Sequence, residues 1–308
     1  MKIVALAGGV GAAKFLSGLV HSVPEEDLTV VVNTGDDFHW MGLYVCPDLD
    51  TVTYTLAGRA NPQTGWGIRD DSFQVLDGLK DLGCEPWFRI GDLDLATHIY
   101  RTEQLRSGRS LSDITRRICE RFGIRFRILP MTDSPVPTLV HTTEGALPFQ
   151  EYFVKKRCAP PVLGFTFQGV ESAKPAPGVD EALQAAGAVV ICPSNPFISI
   201  GPILSLPGLR ETLRRIPAQI AAVTPIIAGE AVKGPTAAMM RQLGLGVSAA
   251  GVAKLYQDFI DDFVLDLHDE QLISEITALG IRAHTARTLM DSADATTRLA
   301  QSVMEIFR

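Results

Sequence analysis

The 308-residue sequence predicts an α/β protein whose mostly parallel, doubly wound sheet lies between two layers of helices. Short β-favouring apolar runs at residues 2–6 and 28–32 flank a helical segment, which is the pattern of a βαβ unit. Similar runs return at residues 188–192, 219–224 and 263–267, with helices near 249–260 and 292–307. Loops rich in glycine and small polar residues follow several runs, as in Rossmann-like folds that carry function at strand ends.

The first unit begins with a strand at residues 2–6, whose unbroken apolar run indicates burial on both faces. A glycine loop at residues 8–11, a helix at 12–20 and a second buried strand at 28–32 follow, so the crossover should be right-handed.

We expect residues 51–179 or so to form an inserted cap or subdomain, with a helix at 105–122 and short strands at 125–129 and 137–141. The Rossmann-like core, about residues 1–50 and 180–308, then makes a single catalytic unit with this cap.

The composition excludes several classes of protein. Formal net charge is −7, and the segment from Asp36 to Asp94 accounts for all of it with eleven acidic and four basic side chains. No basic surplus exists to neutralise nucleic-acid phosphates, and prolines break the longest apolar stretches before they reach membrane-spanning length. The five cysteines are scattered and never spaced as CxxC, so we expect reduced thiols and a cytoplasmic protein.

The glycine loop, residues 8–14 with the sequence GGVGAAK, predicts an anion site between a strand and a helix. Glycines let the backbone approach a phosphate, and free N–H groups with the helix dipole favour negative charge. Lys14 stands where GxGxxG has its last glycine, and GxxxxGK[ST] is absent, which argues against a nicotinamide oxidoreductase and a P-loop NTPase. We predict phosphate contacts from Gly8, Gly9, Gly11 and Lys14, with a tight turn that binds nothing as the alternative.

Four aspartates follow the second strand, in residues 33–37 (NTGDD) and 47–51 (PDLDT). Neighbouring carboxylates repel each other and should need a cation, a donor or solvent. Magnesium is held by one or two carboxylates, waters and substrate phosphate oxygens, so this pattern predicts a Mg²⁺ site beside the glycine loop. Solvated turn aspartates or helix N-caps are the alternative.

These segments resemble the 2-phospho-L-lactate transferase family of coenzyme F-420 biosynthesis. The resemblance extends in order and spacing over nearly all of the chain, through residues 6–14 (LAGGVGAAK), 31–37 (VVNTGDD), 47–51 (PDLDT), 91–98 (GDLDLATH), 193–196 (PSNP), 199–203 (SIGPI), 225–227 (PII) and 233–235 (KGP). It implies a Mg²⁺-dependent transferase that joins the deazaflavin alcohol FO to a phospholactyl group carried on GDP, with release of GMP. The donor acid, which could be phospholactate, phosphoenolpyruvate or phosphoglycerate, stays open.

The resemblance also implies roles for individual residues. Asp36 and Asp50 are the predicted catalytic residues and metal ligands, with Asp37 and Asp48 as alternate ligands; which of the first two acts as a base stays open. Asp50 and Arg89 lie at the deazaflavin site by resemblance, and the family more often carries Lys in place of Arg89. The further candidates for nucleotide or phosphate binding are Asn33, Ser194, Asn195 and Ser199.

Other interpretations remain beside the leading one. Asp92, Asp94 and His98 lack a zinc motif, which favours a structural or pocket-lining role over a metal site through His98. A non-catalytic nucleotide-sugar-binding regulator of a related family would share a similar glycine loop and acidic strand end. The transferase family also leads us to expect a homodimer.

Overall fold

The structure is a computed structural model that describes residues 1–308. Its strands are β1 (Ile3–Ala7), β2 (Leu28–Val32), β3 (Phe38–Trp40), β4 (Leu43–Val45), β5 (Arg127–Pro130), β6 (Thr138–Thr142), β7 (Gly145–Pro148), β8 (Val162–Phe167), β9 (Ala188–Ile191), β10 (Gln219–Val223), β11 (Ile226–Ile227), β12 (Glu230–Ala231), β13 (Asp262–Asp266) and β14 (Arg282–Ala286). Its α-helices are α1 (Val10–Leu19), α2 (Pro47–Leu56), α3 (Gln74–Asp81), α4 (Asp92–Arg106), α5 (Leu111–Arg121), α6 (Val179–Gln184), α7 (Ile200–Leu204), α8 (Leu209–Arg215), α9 (Thr236–Gln242), α10 (Ala249–Tyr256), α11 (Ile273–Ala278) and α12 (Ala293–Ile306).

A seven-stranded sheet in the order β14-β13-β10-β9-β1-β2-β5 forms the centre of the molecule, and all of its neighbouring strands are parallel. Because side chains alternate between the two faces of a sheet, β1 contributes side chains to two separate hydrophobic cores. Ile3 and Ala5 pack on the side of α1, α2, α5 and α12, whereas Val4 and Leu6 pack on the side of α6 to α11. The predicted three-layer, doubly wound architecture is therefore confirmed.

The strand order places the switch point of the sheet at β1. From β1 the chain runs outward through β2 to β5, then returns to the other side of β1 at β9. The loops after β1, β2 and β9 consequently open at the same edge of the sheet, where α/β proteins bind ligands.

The predicted insertion, residues 51–179, contains one strand of the central sheet and all of a second sheet. Strand β5 lies inside it but belongs to the central sheet, where it pairs with β2. Helices α3 to α5 precede β5, and an antiparallel sheet in the order β7-β6-β8 follows it. The division of the chain into a core and a cap stays a prediction.

One local prediction was wrong, and one strand was not predicted. The single helix at 105–122 is two helices, since Gly108 adopts φ +86° after α4 and the Ser110 hydroxyl caps α5 by accepting from the Asp113 N–H. The edge strand β14 was missed because its sequence, RAHTA, contains no apolar run. None of the helices combines the length and the hydropathy needed to cross a bilayer.

Substitution of Gly18 by alanine tests how closely α1 packs against α12. A Cβ at Gly18 would lie 2.6 Å from the Thr296 carbonyl oxygen, so Gly18→Ala should destabilise the fold by about 1–3 kcal/mol in urea denaturation. Gly78 in α3 has nothing within 4 Å of the same position, so Gly78→Ala should instead stabilise by about 0.5–1 kcal/mol. Equal effects of the two substitutions would contradict this account of the interface.

Candidate active site

The glycine loop joins β1 to α1 and leaves the start of that helix open. No side chain caps the α1 N-terminus, and the first N–H groups of an α-helix have no partner within the helix. The Gly8 N–H alone is engaged, donating to the Ser194 Oγ at 3.1 Å. Unpaired N–H groups and the helix dipole together favour an anion at this point.

Packing around the loop explains its glycines. A Cβ at Gly8 would lie 2.4 Å from the Ser199 Cβ, and one at Gly9 would lie 2.4 Å from an Asp48 carboxylate oxygen. A Cβ at Gly11 would lie 2.5 Å from the Pro193 carbonyl oxygen. The structure thus brings the predicted glycine loop together with the motifs at residues 47–51 and 193–199.

A buried amide joins two of the predicted carboxylates. The Asn33 Nδ2, at the end of β2, donates to the Asp36 Oδ1 at 3.4 Å and to the Asp48 Oδ2 at 2.9 Å. A second amide, the Gln150 Nε2, donates to the Asp36 Oδ2 at 3.2 Å. The Asn33 Nδ2 also contacts the Ile198 carbonyl oxygen at 3.2 Å, and the Asn33 Oδ1 accepts from the Gly35 N–H at 2.8 Å. The hydrogen-bonding groups of Asn33 are therefore used within the protein. Gln150 was not among the predicted site residues.

The electrostatics of this group indicate that a cation would stabilise it. Burial raises the pKa of Asp36 well above its usual range, and repulsion from Asp48 and Asp37 adds to the effect. Burial likewise raises the pKa of Asp48 to about 7, although the bond from Asn33 opposes it. No lysine, arginine or histidine forms an ion pair with Asp36, Asp37 or Asp48.

Asp37 lies beside this pair and is 5% exposed. Both of its carboxylate oxygens are buried without a partner in hydrogen-bond geometry. Burial raises the pKa of Asp37, while the nearby Cys46 thiol and Arg101 lower it. Mg²⁺ prefers oxygen ligands, and no cation lowers the pKa of Asp36 or Asp48, so the residues present fit such an ion.

The sequence predicts that Asp50 and Asp36 bind one metal ion together, but the structure places Asp50 in a different group of side chains. Asp48 and Asp50 lie in the first turn of α2, where residues two apart point about 200° away from each other. Asp48 therefore contacts the glycine loop, whereas Asp50 turns toward α4 and accepts hydrogen bonds on both oxygens from Arg101. The structure brings Asp48, not Asp50, to Asp36.

A second group of side chains surrounds Asp50. Ligand atoms of Asp50, Asp94 and His98 all lie within 4.8 Å of one another, a spacing that could hold a metal ion. However, the Arg101 guanidinium already supplies a cation there, 3.2 Å from the His98 Nδ1. The prediction omitted Arg101, although its spacing from Asp94 and His98 (i, i+4, i+7) places all three on one helix face.

The remaining predicted residues occupy varied positions. Lys14 is exposed, with its Nζ 3.5 Å from the Met290 carbonyl oxygen. The Asn195 Oδ1 accepts from the Phe197 N–H at 2.9 Å and closes its own loop. Arg89 is exposed and forms no ion pair with Asp50; its guanidinium lies 4.1 Å from the centre of the Phe73 ring.

A second lysine, absent from the prediction, lies close to the glycine loop. The Lys233 Nζ donates to the Thr64 carbonyl at 2.8 Å, next to Gly65, which packs against Val10 at the start of α1. Burial lowers the pKa of Lys233, and repulsion from Lys14 lowers it further. Two lysines without carboxylate partners thus lie near the α1 N-terminus.

The chain is similar to known proteins in sequence and in fold. The family described as "2-phospho-L-lactate transferase CofD" matches residues 3–305. A phosphoenolpyruvate transferase of Streptomyces griseus is 43% identical over 99% of this chain and 98% of its own length. A 2-phospho-L-lactate transferase of Methanosarcina mazei is also 43% identical, over 99% of this chain and 100% of its own length. A UPF0052-family structure from Bacillus halodurans shares the fold, with TM-score 0.66 and 13% identity over 98% of this chain and 99% of that one.

Proposed function

The chain belongs to the 2-phospho-L-lactate transferase CofD family, and on this premise we propose that it moves a 2-phospholactyl or enolpyruvyl phosphate group from a GDP-linked donor to the deazaflavin FO. The terminal ribityl hydroxyl of FO attacks the phosphorus that bears the acid and gives up its proton. The bond from this phosphorus to the bridging oxygen breaks, so that GMP leaves. Relatives named for phospholactate and for phosphoenolpyruvate are equally similar at 43% identity, which leaves the donor acid open.

The observation that carries this proposal is the group of buried carboxylates at the glycine loop. Asp36, Asp37 and Asp48 are each at most 9% exposed and form no ion pair, and Asp48 lies against the uncapped N-terminus of α1. We assign Asp36 and Asp48 to Mg²⁺, with Asp37 as the alternate, in place of the expected pair Asp36 and Asp50. When bound, the ion neutralises charge on the donor diphosphate.

The protein's own groups supply binding and orientation. N–H groups at the start of α1 bind diphosphate oxygens, and Lys14 and Lys233 add positive charge beside them. Asn33 and Gln150 hold the Asp36 carboxylate in one orientation through their amide groups. Asp50 and Arg89 remain the proposed acceptor-binding residues.

A turnover assay tests the proposal. The protein is incubated with FO and GDP-linked phospholactate, phosphoenolpyruvate or phosphoglycerate, with and without Mg²⁺, and GMP release is followed. We expect GMP with at least one donor, only when Mg²⁺ is present. No release with any donor would refute the proposal, and tight UDP-sugar binding without turnover would support a non-catalytic regulator instead.

Removal of metal should affect stability as well as turnover. A ligand that binds only the folded state at one hundred times its dissociation constant stabilises it by about 2.7 kcal/mol. We therefore expect Mg²⁺ to raise the melting temperature of the substrate-free protein, and EDTA to reverse this effect. A melting temperature that is independent of Mg²⁺ would contradict a site formed by Asp36 and Asp48.

The expected homodimer and cytoplasmic location remain predictions.

A further inference from the structure

Arg101 lies in a buried group of charged and polar side chains. Within this group, the proposed reaction assigns a role only to Asp50. Arg101 is 2% exposed, and its neighbours His98 and Tyr54 are each 1% exposed. Its two terminal nitrogens donate to the two oxygens of Asp50, one of them at 3.0 Å. Its Nε is buried without a partner, so Asp50 is the main compensation for burying this charge.

The bidentate pair determines how Asp50 can act. A guanidinium is a rigid planar fork, and two parallel hydrogen bonds fix the plane of the carboxylate. Each carboxylate oxygen has two acceptor positions, so Arg101 leaves one on each oxygen for another donor. Asp50 is thereby a fixed acceptor that suits a hydroxyl-bearing ligand.

A chain of contacts holds Arg101 in turn. The His98 Nδ1 lies 3.2 Å from an Arg101 terminal nitrogen, which can only donate, so Nδ1 is the acceptor in this contact. The His98 Nε2 lies 3.2 Å from the Asp94 Oδ1 but outside hydrogen-bond geometry, and this oxygen accepts from the Tyr54 hydroxyl at 2.8 Å. His98 therefore contacts Arg101 directly, and the bonded pair of Asp94 and Tyr54 lies beside His98 in the same buried group.

We propose that Arg101 is a positioning residue that orients the Asp50 carboxylate toward the hydroxyl-bearing acceptor. This inference rests on the proposed function, because it takes FO as the ligand of Asp50. The Arg101 cation, and not a metal ion, then occupies the place between Asp50 and His98.

The substitution Arg101→Lys keeps the charge but cannot form two parallel hydrogen bonds. We expect the dissociation constant and the KM for FO to rise about tenfold, which corresponds to about 1.4 kcal/mol. The KM for the GDP-linked donor and the affinity for Mn²⁺, measured by titration calorimetry, should stay unchanged. A general loss of structure would alter all of these quantities together, and so would a metal ion at Asp50.

A matched control exists at the opposite edge of the sheet. Arg282 also forms two hydrogen bonds to one carboxylate: its Nε and one terminal nitrogen donate to the fully buried Asp262 at 2.8 and 2.7 Å. Arg282→Lys should lower the melting temperature but leave FO binding unchanged.

A double-mutant cycle separates positioning from an independent contribution of Arg101. If Arg101 acts through Asp50, then Arg101→Met combined with Asp50→Asn should weaken FO binding no more than Asp50→Asn alone. Additive losses would overturn the proposal. Should the Arg101 variants not fold, His98→Gln tests the next contact in the chain, and unchanged FO affinity there would count against the proposal.

The outcomes distinguish this inference from the proposed function. If the wild-type protein binds FO and Arg101→Lys binds it equally well, only the positioning role is overturned. If the wild-type protein binds no FO, the proposed function and the positioning role both fail.

Discussion

Replacement of Asp36 by Asn is expected to lower turnover by about three orders of magnitude, because a lost cation removes several kcal/mol of charge stabilisation in the transition state. The same change should raise the melting temperature of the metal-free protein. Burial, followed by repulsion from Asp48, raises the pKa of Asp36 well above its usual range. A carboxyl group whose pKa rises on folding destabilises the folded state as the pH increases above the unfolded value, and an amide removes this penalty. GMP release and calorimetry in EDTA measure the two effects.

A suitable control for Asp36→Asn is Asp81→Asn, because Asp81 is exposed at the end of α3. That substitution should change neither turnover nor melting temperature, as is usual for surface positions. Unchanged turnover in Asp36→Asn would remove this residue from the metal site. A lower melting temperature would show that the carboxylates do not repel one another in the metal-free state.

The edge of the sheet that carries the site was predictable, because it follows from local patterns. Continuous apolar runs identify β1, β2 and β9 as buried strands, and parallel strands end at a common edge. Their following loops, including Gly8, Asn33 and Ser194, must therefore meet there, and the Gly8–Ser194 hydrogen bond shows that they do. The same reasoning fails for β14, whose exposed edge position needs no apolar run.

The partners of the individual carboxylates were not predictable in this way. Whether Asp48 or Asp50 lies near Asp36 depends on which face of α2 is turned toward the glycine loop, since side chains two residues apart on a helix point in nearly opposite directions. The bond between Arg101 and Asp50 spans 51 residues of sequence and depends on the packing of α4 against the rest of the fold. Spacing within a motif carries no information on such contacts, so a string of aspartates predicts a cation site without identifying its ligands.

Gly9→Ala is expected to weaken metal binding by about tenfold or more. Gly9 has no side chain and therefore supplies no side-chain ligand to the metal. A methyl group at Gly9 would meet the Asp48 carboxylate at 2.4 Å, and the Asp48 Oδ2 is held from the other side by Asn33 at 2.9 Å. The carboxylate must therefore turn away from Asp36 or the loop must move away from Asp48. The first movement separates the two proposed ligands, Asp36 and Asp48, and the second displaces the N–H groups at the start of α1. Mn²⁺ titration calorimetry of the substrate-free protein measures the effect independently of turnover.

Gly78→Ala provides the comparison for Gly9→Ala, since a Cβ at Gly78 contacts nothing within 4 Å. Its Mn²⁺ affinity should equal that of the wild-type protein. If Gly9→Ala retained full Mn²⁺ affinity while losing turnover, the loop would have moved while Asp48 kept its place, and the loss would lie in the binding of the diphosphate. If it lost both, the glycine loop and the carboxylates would form one site, in which the close approach of Asp48 to the backbone requires a residue without a side chain.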